Sequence, residues 1–67
     1  MIEKINLTKA ASLRDVKAIT SFSRSTIYRK IKIAGFPKPI KISDKRVVWD
    51  EEQVKKWLNE QANTYIQ

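Results

Sequence analysis

The sequence predicts a small α+β domain built from two short helices, a β-hairpin and a closing helix. Three observations predict it. Apolar residues recur at helical spacing in three separate stretches: Leu13/Val16/Ile19, Ile27/Ile31 and Val54/Trp57/Leu58. Between the second and the third, residues 40–49 alternate at a period of two on either side of a polar turn. Each helical stretch is preceded by a residue whose side chain caps helix N-termini, namely Ser12, Ser23 and Asp50.

Residues 1–11 carry only a weak pattern in Ile2, Ile5 and Leu7 and read as a loop-like N-terminal arm. Ser12-Leu13-Arg14-Asp15 then has the form of a capping box, with Asp in the third helical position. The first helix is expected from about Leu13 to about Ile19. Thr20-Ser21-Phe22-Ser23 is a polar turn around one apolar ring. Ser23 opens the second helix, Arg24 to Lys32, whose inward stripe is Ile27 and Ile31. Gly35 suits a left-handed terminator and Pro37 forbids continuation. Ile40-Lys41-Ile42, the turn Ser43-Asp44-Lys45 and Arg46-Val47-Val48-Trp49 make the hairpin, with Pro39 implying a strand edge. Asp50 through Gln53 form another expected capping box. The last helix should run from Glu51 to about Glu60 or Ala62.

A folded unit over residues 12–62 is thus flanked by an arm, 1–11, and a tail, 63–67. Its predicted core is Leu13, Val16, Ile19, Phe22, Ile27, Ile31, Phe36, Ile42, Trp49, Val54, Trp57 and Leu58. Helix, turn, helix, hairpin, helix is the order of a winged helix-turn-helix.

Composition narrows the function. The chain has 67 residues, enough for one domain, with neither cysteine nor histidine. Disulfides, thiolate metal sites and histidine bases are therefore absent from the repertoire. There is no Gly-rich phosphate loop, so no enzyme activity, cofactor or metal is expected. Asp50, Glu51, Glu52 and Glu60 could suggest an acidic cluster. Complementarity to a helix N-terminus accounts for the first three. No apolar run approaches the roughly 20 residues of a membrane helix, and MIEKINLTKAAS lacks the form of a secretory signal. A cytoplasmic protein without a membrane partner is the expectation.

The net charge is +7, and its placement matters more than its size. Residues 24–46 hold Arg24, Arg29, Lys30, Lys32, Lys38, Lys41, Lys45 and Arg46 against one acid, Asp44. Elsewhere basic and acidic side chains balance. A block of this kind attracts a polyanion and gains from releasing its counterions, although a merely solvated basic face would look the same.

The second helix turns that block into a candidate site. With Ile27 and Ile31 inward, Ser25 and Arg29 fall opposite, flanked by Thr26, Tyr28 and Lys32. Such a short cationic face fits a major groove, which admits one α-helix. Arg29 can take guanine O6 and N7 together, and Ser25 and Thr26 sit in the first turn, near base edges or phosphates. Backbone N–H groups near Ser23 and Arg24 can hold a phosphate. Arg24, Tyr28, Lys30 and Lys32 are the expected phosphate clamps; Tyr28 could equally pack its ring on the wing. Lys45 and Arg46 at the hairpin tip could reach backbone or minor groove, with Lys38 and Lys41 along the path. Trp49 and Trp57 lie on inward phases and read as core rather than base-stacking platforms.

Leu13-Arg14-Asp15-Val16, Ser23-Arg24-Ser25-Thr26-Ile27-Tyr28-Arg29, Gly35-Phe36-Pro37-Lys38-Pro39, Val48-Trp49 and Val54-Lys55-Lys56-Trp57-Leu58 together resemble the AlpA family of prophage regulatory proteins. That family is similar to phage excisionases and to the DNA-binding part of MerR regulators. The resemblance implies a small winged-helix DNA-binder that regulates a mobile element, often through an integrase gene, or that acts as an excisionase. It also implies that Ser23 through Arg29 form the recognition helix and that Lys45 and Arg46 sit on the wing. Ser21-Phe22 departs from the Gly-Leu or Gly-Val common at that turn, and nothing is carried over to residues 1–11.

The expected partner is double-stranded DNA. A second copy of the chain, through cooperative binding at repeated sites, and an integrase are further partners the resemblance leaves open. A competing reading makes the domain an interaction module that inhibits another regulator, because fold alone does not settle function.

Overall fold

The computed structural model describes residues 9–65. The chain runs β1 (Ala10–Ala11), α1 (Leu13–Thr20), α2 (Arg24–Ile33), β2 (Ile40–Ser43), β3 (Arg46–Asp50) and α3 (Glu51–Tyr65). The expected order of helix, turn, helix, hairpin and helix is present, within a small α+β domain consistent with a winged helix-turn-helix.

The caps form where side-chain chemistry places them. Ser12 Oγ accepts from the Asp15 N–H at 3.2 Å while Asp15 returns a bond to the Ser12 N–H at 3.1 Å. Two backbone donors at the start of α1 are thereby satisfied reciprocally. Ser23 caps α2 by accepting from the Thr26 N–H at 3.3 Å. At α3 the expected box is not completed: the Asp50 carboxylate accepts from the Glu52 N–H at 3.1 Å, and Asp50 is also the last residue of β3.

Two left-handed residues make the tight connections. Ser21, at φ 63°, ends α1 and donates its N–H to the Lys17 carbonyl at 2.8 Å. Thr20 completes that turn from inside. It is buried, donates to the Val16 carbonyl at 2.8 Å and accepts from the Phe22 N–H at 3.1 Å. It therefore belongs to the helix and not, as expected, to a polar turn. Gly35, at φ 70°, lets the N–H groups of both Ala34 and Phe36 reach the Lys30 carbonyl, which ends α2.

The sheet holds three strands in the order β1-β3-β2, all antiparallel. Sequence alone gives residues 10 and 11 no element. In the structure they pair with Asp50 and Trp49, and the Glu51 N–H extends the ladder to the Lys9 carbonyl at 2.9 Å. The arm reading is corrected there, and its part in residues 1–8 lies outside the described residues. Ala11 is 1 % exposed and packs in the core. A two-residue strand of alanines has no periodicity to read; it exists because β3 offers it an edge. At the other end α3 continues to Tyr65, so residues 63–65 of the expected tail are helical, and residues 66–67 lie outside the described set.

Ala11, Val16, Ile27, Phe36, Trp49, Val54 and Trp57 form the buried centre. Leu13, Ile19, Phe22, Ile31 and Leu58 pack around it, half-buried. One expected core residue is misplaced. Ile42 is 53 % exposed. The register explains it: Ile40 lies opposite the buried Val48, whereas Ile42 falls at an irregularity in the ladder between Lys41 and Ser43 and has no β3 residue paired with it. Val48, which the expected core leaves out, is instead 4 % exposed.

The two tryptophans fix the loop that joins α2 to β2. Trp57 Nε1 donates to the Ala34 carbonyl at 3.1 Å, and Trp49 Nε1 donates to the Pro37 carbonyl at 3.0 Å. Phe36, between those anchors, meets the Trp57 ring edge-on at 4.9 Å. Both indoles are core, as their phase in the sequence predicts. They set where the hairpin leaves the helix pair.

Candidate nucleic-acid interface

The outer face of α2 assembles from the helical repeat alone. Ile27 is fully buried and Ile31 half-buried, so the opposite stripe is Ser25, Arg29 and Ile33. Ser25, Arg29 and Lys32 are exposed, and Thr26 is half-buried beside them. At the helix start the hydroxyls form a local cluster. Ser23 Oγ lies 2.9 Å from Thr26 Oγ1 and 3.3 Å from Ser25 Oγ. The Thr26 and Ile27 N–H groups are both spent on Ser23. Those of Arg24 and Ser25 remain the outward donors among the described residues.

The flanks of α2 differ. Tyr28 is half-buried and meets Trp49 of β3 edge-on, with ring centroids 6.2 Å apart. The Arg24 guanidinium lies 5.7 Å from the Tyr28 ring centroid, in reach of a cation–π contact. Tyr28 therefore packs against the wing strand and steadies Arg24 at the same time. Lys30 projects from the other flank, where its Nζ lies 5.3 Å from the centre of the Phe22 ring and the residue is half-buried. The expected clamp residues thus split, with Arg24 and Tyr28 towards the wing and Lys30 towards the turn.

Lys38, Lys41, Lys45 and Arg46 are all exposed. Lys45 sits in the turn between β2 and β3, and Arg46 opens β3. Lys41 pairs with Val47, on the Trp49 side of the hairpin.

Charge pairing separates this surface from the rest of the molecule. Among the described residues the ion pairs are Lys9–Glu51 at 3.8 Å and Lys55–Glu51 at 3.7 Å. None of the eight basic side chains of residues 24–46 takes part in either. Three of the acids, Asp50, Glu51 and Glu52, stand together at the start of α3, where Glu51 holds the two lysines and Asp50 caps the helix. These contacts account for Asp50 and Glu51 of the acidic set, and among the described residues no group of three or more potential ligands is placed to hold a metal.

Sequence reading left one residue of the outer stripe unassigned. Ile33 is 74 % exposed and, with Ile42, one of the two large apolar side chains standing in solvent among the described residues. Its signal was present in the spacing, four residues after Arg29 and out of phase with Ile27 and Ile31, but the expected helix stopped at Lys32.

The family model described as Prophage CP4-57 regulatory protein (AlpA) matches residues 10–62. No curated protein and no solved structure matches significantly.

Proposed function

The chain belongs to the AlpA family of prophage regulatory proteins, and from that premise we propose that it regulates transcription in a prophage or related mobile element by binding duplex DNA sequence-specifically. The observation that carries the reading is the segregated positive charge of residues 24–46 around one exposed helix face, which makes no ion pair among the described residues. In this proposal α2 enters the major groove, with Arg29 on a guanine edge and Ser25 and Thr26 near base edges or phosphates. Ser23, Arg24 and Tyr28 hold phosphate beside the helix start, and Lys30 and Lys32 hold it along the flanks. Lys45 and Arg46 reach backbone from the wing, with Lys38 and Lys41 between.

Phosphate contacts of this number carry a signature in salt. With about six of them, affinity should fall roughly 10³-fold between 50 and 200 mM salt. The test is selection of duplexes from a random pool, followed by titration of the enriched sequence across that range. An enriched sequence bound with a steep salt slope supports the proposal. Absence of enrichment, or binding to a protein partner that salt barely changes, overturns it in favour of an interaction module.

The target we propose is an integrase promoter or the attachment region beside it, as the family's role in mobile elements suggests. Footprinting over those two regions separates the outcomes. Protection of the promoter alone supports a transcription regulator; protection confined to the attachment site supports an excisionase. The DNA contact is proposed to lie within residues 12–62, while β1 and the end of α3 carry the folded domain beyond those bounds.

A further inference from the structure

We propose that Ile33 helps to determine sequence choice by covering the C5-methyl group of a thymine in the major groove. The inference rests on the DNA-binding reading above and adds a base contact that charge cannot supply. Ile33 is the last residue of α2 and is 74 % exposed. It is absent from the cluster of residues that pack on the core, which its neighbour Ile31 joins. An exposed isoleucine in water gives up the burial its apolar surface could gain, so a covered state is favoured.

The cover follows from what shares its stripe. Ser25, Arg29 and Ile33 stand at successive four-residue intervals on the face opposite Ile27. A surface that places an arginine and a serine against base edges places the isoleucine against the same groove wall. The thymine methyl is the apolar group there. Ile33 also lies within the block that carries the net charge, between Lys32 and Lys38. The cations on either side favour a polyanion over an apolar protein face.

Spacing makes the proposal specific. Four helical residues advance about 6 Å along the axis, and stacked base pairs about 3.4 Å each. With the helix along the groove, the thymine lies about two base-pair steps from the guanine taken by Arg29.

The experiment uses the full chain and the best duplex from random-pool selection. Each thymine is replaced in turn by deoxyuridine, which removes only the methyl group. We expect one position at which the unaltered protein loses about threefold to tenfold in affinity, which is the scale of one buried methyl. That position should lie about two base pairs from the one whose specificity Arg29→Ala relaxes. In Ile33→Ala the same replacement should cost nothing. Ile42→Ala, which alters the other exposed isoleucine, should keep the full loss.

Indifference of the unaltered protein to every replacement overturns the proposal, and so does a loss that persists in Ile33→Ala. Loss of cooperative binding in Ile33→Ala without methyl dependence also overturns it and marks a contact between copies. These results leave DNA binding standing, because the enriched duplex is still bound. If no duplex is enriched, both readings fall together.

Discussion

Arg29 is fully outward on α2, two positions past the buried Ile27, and among the described residues it makes no ion pair. Its guanidinium is thus free of the cost of leaving an internal partner when it meets a base. Arg29→Ala is expected to cost about 1–3 kcal/mol on the selected duplex and to relax specificity at one base pair. Competition binding with single-base variants measures this, and an equal loss on selected and random DNA would show that Arg29 touches only phosphate. Tyr28 shows how one residue can serve two neighbours. Its ring edge meets Trp49 and its face lies near the Arg24 guanidinium. The sequence leaves open whether Tyr28 faces the wing or the DNA, because its phase lies on the flank of the inward stripe. Packing across two elements sets its ring against the wing strand.

At the scale of elements, the helix-turn-helix rests on a turn of only three residues, Ser21 to Ser23, between α1 and α2. Ser21 holds φ 63°, a left-handed conformation that costs a residue with a Cβ roughly 1 kcal/mol more than glycine. Ser21→Gly is expected to raise stability by up to about 0.5 kcal/mol, net of the added freedom of the unfolded chain. Urea unfolding reads this directly, and a lowered midpoint would mean that the unfolded-state term dominates. The wing is the second element whose role can be isolated. Lys45 lies at its turn, exposed and away from the core. Lys45→Ala should weaken binding to all duplexes alike and flatten the salt dependence by about one unit in the logarithmic slope. An unchanged slope would take the wing off the DNA.

Across the whole molecule, β1 ties the N-terminal side of the domain to the wing. Ala11 lies opposite Trp49, and Trp49 in turn holds the Pro37 carbonyl and the Tyr28 ring. Displacement at Ala11 should therefore be felt through Trp49 at both the hairpin and α2. Ala11→Leu adds volume where 1 % of the residue is exposed and should cost about 1–3 kcal/mol of stability by thermal or urea unfolding. Wild-type stability in that variant would show that the strand gives way without disturbing the core.

The sequence by itself determined the three helices, their starts at Ser12, Ser23 and Asp50, the hairpin, and the basic block that faces outward with α2. These follow from local chemistry: a cap needs one side chain within three residues, a helical stripe needs one turn of context, and charge is counted without coordinates. Tertiary structure alone decided that Ala10–Ala11 form a strand, that Ile42 stands in solvent while Val48 is buried, and that Lys30 turns to Phe22. Each depends on a partner distant in the chain. Two alanines become a strand only beside β3, and the hairpin's register sets which isoleucine is covered. Alternation supplies a period of two but does not say whether one face or both are covered, and the neighbouring Val48 and Trp49, both buried, show that packing from other elements decides it.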